Sequence, residues 1–305
     1  MFLTVLTQVF ILLFLIAIGF FAAKTGIMTE AGAKSCTDIA LILVTPCVII
    51  KAFIREYSHE LMKSLANAFV LILLVQVLLV VLSLVIFHSK DKKRERVLRF
   101  GAIFANAGFM SLPLQQALLG ADGLLYGSVY VVVFNLVVWS YGIFLMSGDK
   151  NYISPKKLIT NPGLIGLAVG LVIFVFSVPL PEMITKTLDH MSAVYTPLPM
   201  FVIGYHLAQT NVFHALKDKG CLFAVFVSLI VYPLAALGLL YLLGVRGSLL
   251  VAIVIAVSAP VAAITTMFSS KFSVDTPLSV NMVSLSTLLS LGSMPLVITL
   301  AQCLA

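Results

Sequence analysis

Two segments of this chain have the residue types and spacing to do chemistry. They are Asn106-Ala107-Gly108-Phe109-Met110-Ser111-Leu112-Pro113-Leu114 and Ser258-Ala259-Pro260-Val261-Ala262-Ala263-Ile264-Thr265-Thr266. Each sets proline and small polar residues inside a long apolar run. Proline removes a backbone hydrogen bond and glycine loosens a helix, so each segment predicts a helix broken in mid-course. A break leaves a half-helix N-terminus with unpaired N–H groups and a partial positive charge. Two such ends facing one another can hold an anion without any buried arginine. The substrate ligands expected here are Asn106, Gly108, Ser111 and Pro113 from the first segment, and Ser258, Pro260 and Thr265 from the second. The plainer alternative is a pair of packing kinks.

The elements that must position these segments are membrane spans. The chain has 305 residues, 61% hydrophobic and 10% charged. Soluble domains carry roughly 25% charged residues, so this composition fits a chain whose solvent is lipid. Charge-free runs of about 20 residues match the thickness of the hydrocarbon core. Eight are plain: Thr4–Ala23, Ser64–Phe87, Phe100–Ala121, Gly123–Met146, Leu158–Leu180, Gly220–Leu243, Gly247–Ser270 and Thr276–Ala305. Two weaker ones are interrupted by proline: Ile39–Ile50 at Pro46, and Met191–Leu207 at Pro197 and Pro199. The expected fold is therefore all-α and integral to the membrane, with ten transmembrane helices. The first run is too long for a cleavable signal and no basic residue precedes it, so it reads as a true span.

The weak spans are second and seventh, the same place in two halves of five. Pro46 and Pro197 are offset by 151, Pro113 and Pro260 by 147, and Asn135 and Asn281 by 146. A near-constant offset close to half the chain length predicts a duplicated unit, residues 1–150 and 151–305. Five helices per half is an odd number, so the second half enters from the opposite side and the repeat is inverted. Pro46, Asn135 and Asn281 join the expected substrate site as matched positions.

Lysine and arginine set the orientation. With the N-terminus outside, 14 of the 19 fall in inward loops, Lys157 among them, and 5 fall outside. Both termini are then non-cytoplasmic. The net charge of +7 resides in these short loops, so it reports topology and not a nucleic-acid partner. Asp38 and Lys51 flank the second span. Asp38 is a candidate acceptor of a coupling proton and Lys51 a candidate partner for a substrate carboxylate. The alternative is that both sit at the interface with Lys51 snorkelling.

Other residues point to no further chemistry. Cys36, Cys47, Cys221 and Cys303 lack metal-ligand spacing, and the histidines, His206 and His214 among them, are scattered. His59-Glu60 begins a zinc-protease motif, but Lys63 stands where its second histidine belongs. No enzyme, cofactor or metal site is expected. Gly166 and Gly170 make a small-residue packing face. The second break has no carboxylate nearby, which favours proton coupling or uniport over sodium.

Asn106-x-Gly108-x-x-x-x-Pro113 resembles the signature of the auxin efflux carrier family, which includes bacterial malate and malonate permease-type members. The resemblance covers the whole chain: ten spans, Pro46, Asn161-Pro162 opening the sixth span, and Pro197-Leu-Pro199-x-Phe201-x-x-Gly204 in the seventh. It implies crossed broken helices in spans four and nine, as in bile-acid symporters and sodium–proton antiporters, and an elevator-like motion. One departure is Ser111, where the family usually shows a second glycine. The function expected is secondary active transport of a small organic anion, a dicarboxylate or an auxin-like carboxylate, across the cell membrane. The partners expected are that anion and the bilayer, with homodimerisation left open. A receptor or a channel of the same fold is the alternative. A primary pump is excluded on this chain, which has no phosphate-binding GxxxxGK[ST] loop.

Overall fold

The computed structural model describes every residue except Met1, Pro155, Lys157, Leu158 and Asn211, and only the backbone of Val212, Phe213 and His214. The inward charge Lys157, the start of the Leu158–Leu180 run and the His214 imidazole therefore lie outside the described residues. Among the described residues there is no strand and a single isolated backbone bridge. The helices are α1 (Phe2–Lys24), α2 (Glu30–Ala52), α3 (His59–Ile86), α4 (Lys92–Ile103), α5 (Ala107–Ser147), α6 (Pro162–Val175), α7 (Glu182–Val194), α8 (Pro197–Ala208), α9 (Val212–Lys217), α10 (Lys219–Leu242), α11 (Gly247–Ser258), α12 (Ile264–Lys271) and α13 (Thr276–Leu304). Six of these, α1, α2, α3, α5, α10 and α13, are long and apolar enough to cross a membrane, and α6 and α11 are shorter apolar helices. With 23 residues, α1 is about 35 Å long.

Polarity is arranged inside out. Phe10, Phe14, Ile18 and Phe21 on α1 and Val70, Leu73, Val77 and Val81 on α3 face outward and are exposed. Ser111, Ser128, Ser258, Thr265, Ser269 and Ser286 are fully buried. Water would penalise such an apolar surface, whereas hydrocarbon does not. The chain is a multi-pass membrane protein.

Helix ends are satisfied locally, because lipid offers no hydrogen bonds. Thr29, Ser58, Asp91, Asn161, Asp218 and Asp275 each accept a backbone N–H in the first turn of α2, α3, α4, α6, α10 and α13. Three prolines inside spans are absorbed by widened π turns. Ile39–Val44, Ala107–Ser111 and Val227–Val231 each end two residues before a proline: Pro46, Pro113 and Pro233. The wider turn removes the clash between the proline ring and the carbonyl one turn back. At Pro46 the Thr45 hydroxyl also donates to the Ala40 carbonyl, 2.8 Å away. The second span is thus one continuous helix, bulged but not interrupted as its proline predicts. In the seventh, Pro197 separates α7 from α8 across two residues of helical dihedrals, Tyr195 and Thr196.

Two helix pairs are sealed by glycine. A Cβ on Gly19 of α1 would lie 2.3 Å from the Phe201 carbonyl of α8, and one on Gly204 would lie 2.1 Å from the Ile16 carbonyl. Only glycine allows that approach. On α6, Gly166 meets Pro46 and Gly170 meets Phe53, so the small-residue face packs against α2 within the fold. The Gly120 backbone (φ 62°) turns α5 sharply into two arms, 107–119 and 121–147.

The connections carry the charge. At one end Arg94 lies 2.6 Å from Asp218 and 3.6 Å from Asp275, the caps of α10 and α13, and Lys24 donates to the Ala208 carbonyl. At the other end Lys51 pairs with Asp189 and Arg55 with Asp122. Burial pushes the Asp218 carboxyl up, but hydrogen bonds from Arg94 and the backbone N–H groups of Cys221 and Gly220 outweigh it and hold the group below its ordinary value.

Candidate functional site

The two segments that break their helices meet. After α4 the chain turns extended at Phe104, and after α11 it turns extended at Ala259. The extended pieces run antiparallel, with Ala105 opposite Val261. Asn106 N–H donates to the Pro260 carbonyl at 2.6 Å, and Ala262 N–H donates to the Phe104 carbonyl at 2.9 Å. Backbone groups freed by each break are thereby satisfied by the other. Pro260 has no N–H to lose and supplies only the acceptor. The Val261 N–H is taken by the Ser286 hydroxyl of α13, 3.0 Å away.

Asn106 then starts α5. Its side-chain oxygen accepts the Phe109 N–H at 3.2 Å, and its carbonyl accepts those of Met110 and Ser111. The Gly108 N–H finds no acceptor among the described residues, and Gly108 and Phe109 are half-exposed at this end of the helix. On the second break, α12 begins at Ile264 with no side-chain cap. The Thr265 hydroxyl is fully buried there without a partner, as is that of Ser269 one turn on. No charged side chain is buried at the crossing; the one buried charge among the described residues is Glu95, in the first turn of α4. The field there comes from helix ends and amides.

Beyond the crossing, a cavity of about 340 Å³ runs between α1, the first arm of α5 and the α7–α8 junction. It is lined by Ile11, Leu12, Pro113, Leu114 and Ala117, with Gln8, Gln116 and Thr196 as its polar groups.

The remaining expected ligands fall into different environments. Ser111 is buried, and its oxygen accepts the Gln115 side-chain amide, which also donates to the Ala252 carbonyl of α11. Ser258 closes α11 by donating to the Ile255 carbonyl. Pro46 packs against Gly166. Asn135 accepts from the Asn161 amide and so braces the start of α6. Asn281 lies in the second turn of α13, where Ser286 is the residue that reaches the crossing. Asp38 is exposed at the π turn of α2. Lys51 is held 2.6 Å from Asp189 of α7. Ser286, Gln115 and Tyr195 are not marked by the sequence. A serine in an apolar helix and a tyrosine beside Thr-Pro carry no local signal of what they face.

Crossed, mutually bonded breaks inside a lipid-facing helical bundle define a membrane transporter. The comparisons agree. The family model described as membrane transport protein matches residues 4–298. An uncharacterized transporter of Methanocaldococcus jannaschii is 28% identical, over 93% of this chain and 94% of that one. An uncharacterized transporter of Methanothermobacter thermautotrophicus is 26% identical over the same shares. Auxin efflux carrier component 1 of Arabidopsis thaliana is 27% identical over 39% of this chain and 20% of that protein. The chain belongs to the membrane transport protein family, that of the auxin efflux carriers, and is a transporter and not an enzyme.

Proposed function

We propose that this transporter carries a small organic carboxylate across the cell membrane by alternating access, driven by protons or the membrane potential. The observation that carries this reading is the α5 N-terminus at the crossing, with a free Gly108 N–H, an Asn106 cap and no formal charge nearby. Such an end attracts an anion but compensates only a fraction of one charge. The cavity further along the same arm of α5 is neutral and mostly apolar. Both features favour one carboxylate on an apolar body over a dicarboxylate such as malate or malonate.

The architecture we infer is ten spans in two inverted repeats, residues 1–150 and 151–305, with both termini outside. The grouping of side chains at the ends supports it. Arg94, Asp218, Asp275, Lys24 and Ala208 share one end, as alternation from an outer N-terminus requires, and Lys51, Asp189, Arg55 and Asp122 share the other. Counterflow in proteoliposomes tests the function. Phenylacetate should exchange, and malonate should exchange more slowly. If no carboxylate exchanges, the reading falls.

A further inference from the structure

The wall opposite the α5 N-terminus holds a feature that packing does not use. Tyr195 sits where α7 gives way to α8, and it is 3% exposed. Its hydroxyl is buried and has no hydrogen-bond partner. The Thr45 hydroxyl of α2 donates its own proton to the Ala40 carbonyl, so toward Tyr195 its oxygen can only accept. The Tyr195 oxygen points at Gly108: a Cβ built on that glycine would stand 3.4 Å from it. The ring lies edge-on to Phe109, centroids 6.3 Å apart, and the next residue, Thr196, lines the cavity.

A buried hydroxyl without a partner is costly, and phenylalanine would fill the same space without that cost. The Tyr195 oxygen faces the side of Gly108 that carries no side chain, and the Gly108 N–H is free in the same turn. An oxyanion there would accept from both groups. Tyr195 belongs to the α7–α8 wall and Gly108 to the crossing, so a bound carboxylate would also link the two.

We propose that the Tyr195 hydroxyl is a substrate-binding donor, which hydrogen-bonds the substrate carboxylate held at the α5 N-terminus. This rests on the carboxylate reading above. The donor contributes equally before and during translocation, so its loss should raise KM and leave the maximal rate unchanged.

The test uses the full-length protein in proteoliposomes with a panel of phenylacetate, benzoate, malonate and malate. Tyr195→Phe keeps the ring and its packing. It should raise KM about ten-fold for whichever carboxylate the native protein exchanges, the expected loss for a hydrogen bond to a charged group. The maximal rate should not move, and the melting temperature in detergent should hold or rise. Gly108→Ala, whose methyl fits 3.4 Å from the Tyr195 oxygen, should weaken binding at least as much without unfolding the protein. A native protein that exchanges a carboxylate, with a Tyr195→Phe variant of the same KM, overturns this inference and leaves the functional reading standing. Equal falls in maximal rate and melting temperature would assign Tyr195 to packing and also overturn it. A native protein that exchanges none of the panel overturns the functional reading and this inference together.

Discussion

The two breaks share a topology but not their chemistry. The first is capped by its own asparagine, widened by a π turn and half-open at Gly108, where an unpartnered tyrosine faces it. The second is Ala-Pro-Val-Ala-Ala, has no side-chain cap, and is held from behind by a serine of α13. Each break supplies the backbone partner the other needs. The first leaves the Gly108 N–H and the Tyr195 hydroxyl without partners, and the second leaves the hydroxyls of Thr265 and Ser269. In the reading proposed above, the first break serves recognition and the second supports it.

Charge should break this symmetry most sharply. Asn106→Asp keeps a good cap, so stability should change little, but it places a negative charge where the anion is expected. Carboxylate exchange should fall at least a hundred-fold in counterflow assays. Ala263→Asp, at the exposed start of α12, should cost less than five-fold. Equal losses from the two would show that both ends bind and would erase the distinction.

Removing the cap or the support should separate binding from stability. Asn106→Ala strands the Phe109 N–H and should cost about 1 kcal/mol along with at least ten-fold in exchange. Ser286→Ala leaves the Val261 N–H buried and unpaired, which costs about 1–3 kcal/mol. Its melting temperature should drop while KM stays near the native value. A large KM change in Ser286→Ala would move the second break into the binding site.

The smallest effect expected lies at the helix starts. Arg94 joins α4, which leads into the first break, to the caps of α10 and α13. The Asp218 carboxyl is held below its ordinary 3.8, so its contribution is present above that value and is lost as pH falls through the lower folded-state value. Arg94→Gln should bring acid unfolding to a higher pH, closer to 4, with transport near pH 7 only slightly reduced. A pH–melting curve matching that of the native protein would remove this pair from the account.

Much of the frame was legible in the chain. Long uncharged runs between short charged loops mark α1, α3, α10 and α13, because the hydrocarbon core demands such a length whatever the partners. Asn106 and Pro260 stand where the helices fail, whereas Pro113 is absorbed by a π turn inside α5. Pro46 misled in one respect. A π turn and the Thr45 hydroxyl absorb it, and nothing in the local sequence distinguishes an absorbed proline from a breaking one. Asn135 matches Asn281 in sequence offset, and its side-chain oxygen accepts from Asn161. Lys51 could pair a substrate carboxylate by its type and place in the span, and in the fold it pairs with Asp189, 138 positions later.

The sequence by itself determined that the solvent is lipid, where the main spans run and where two of them must break. Those are properties of single helices and of backbone groups that must find partners nearby. Tertiary structure decided that the breaks bond to one another, that Ser286 supports the second, and that Tyr195 faces Gly108. The polar pairs in this protein join helices far apart in the chain, and in an apolar sequence nearly every helix face looks alike. Which serine, asparagine or tyrosine meets which backbone group is fixed only when the helices pack.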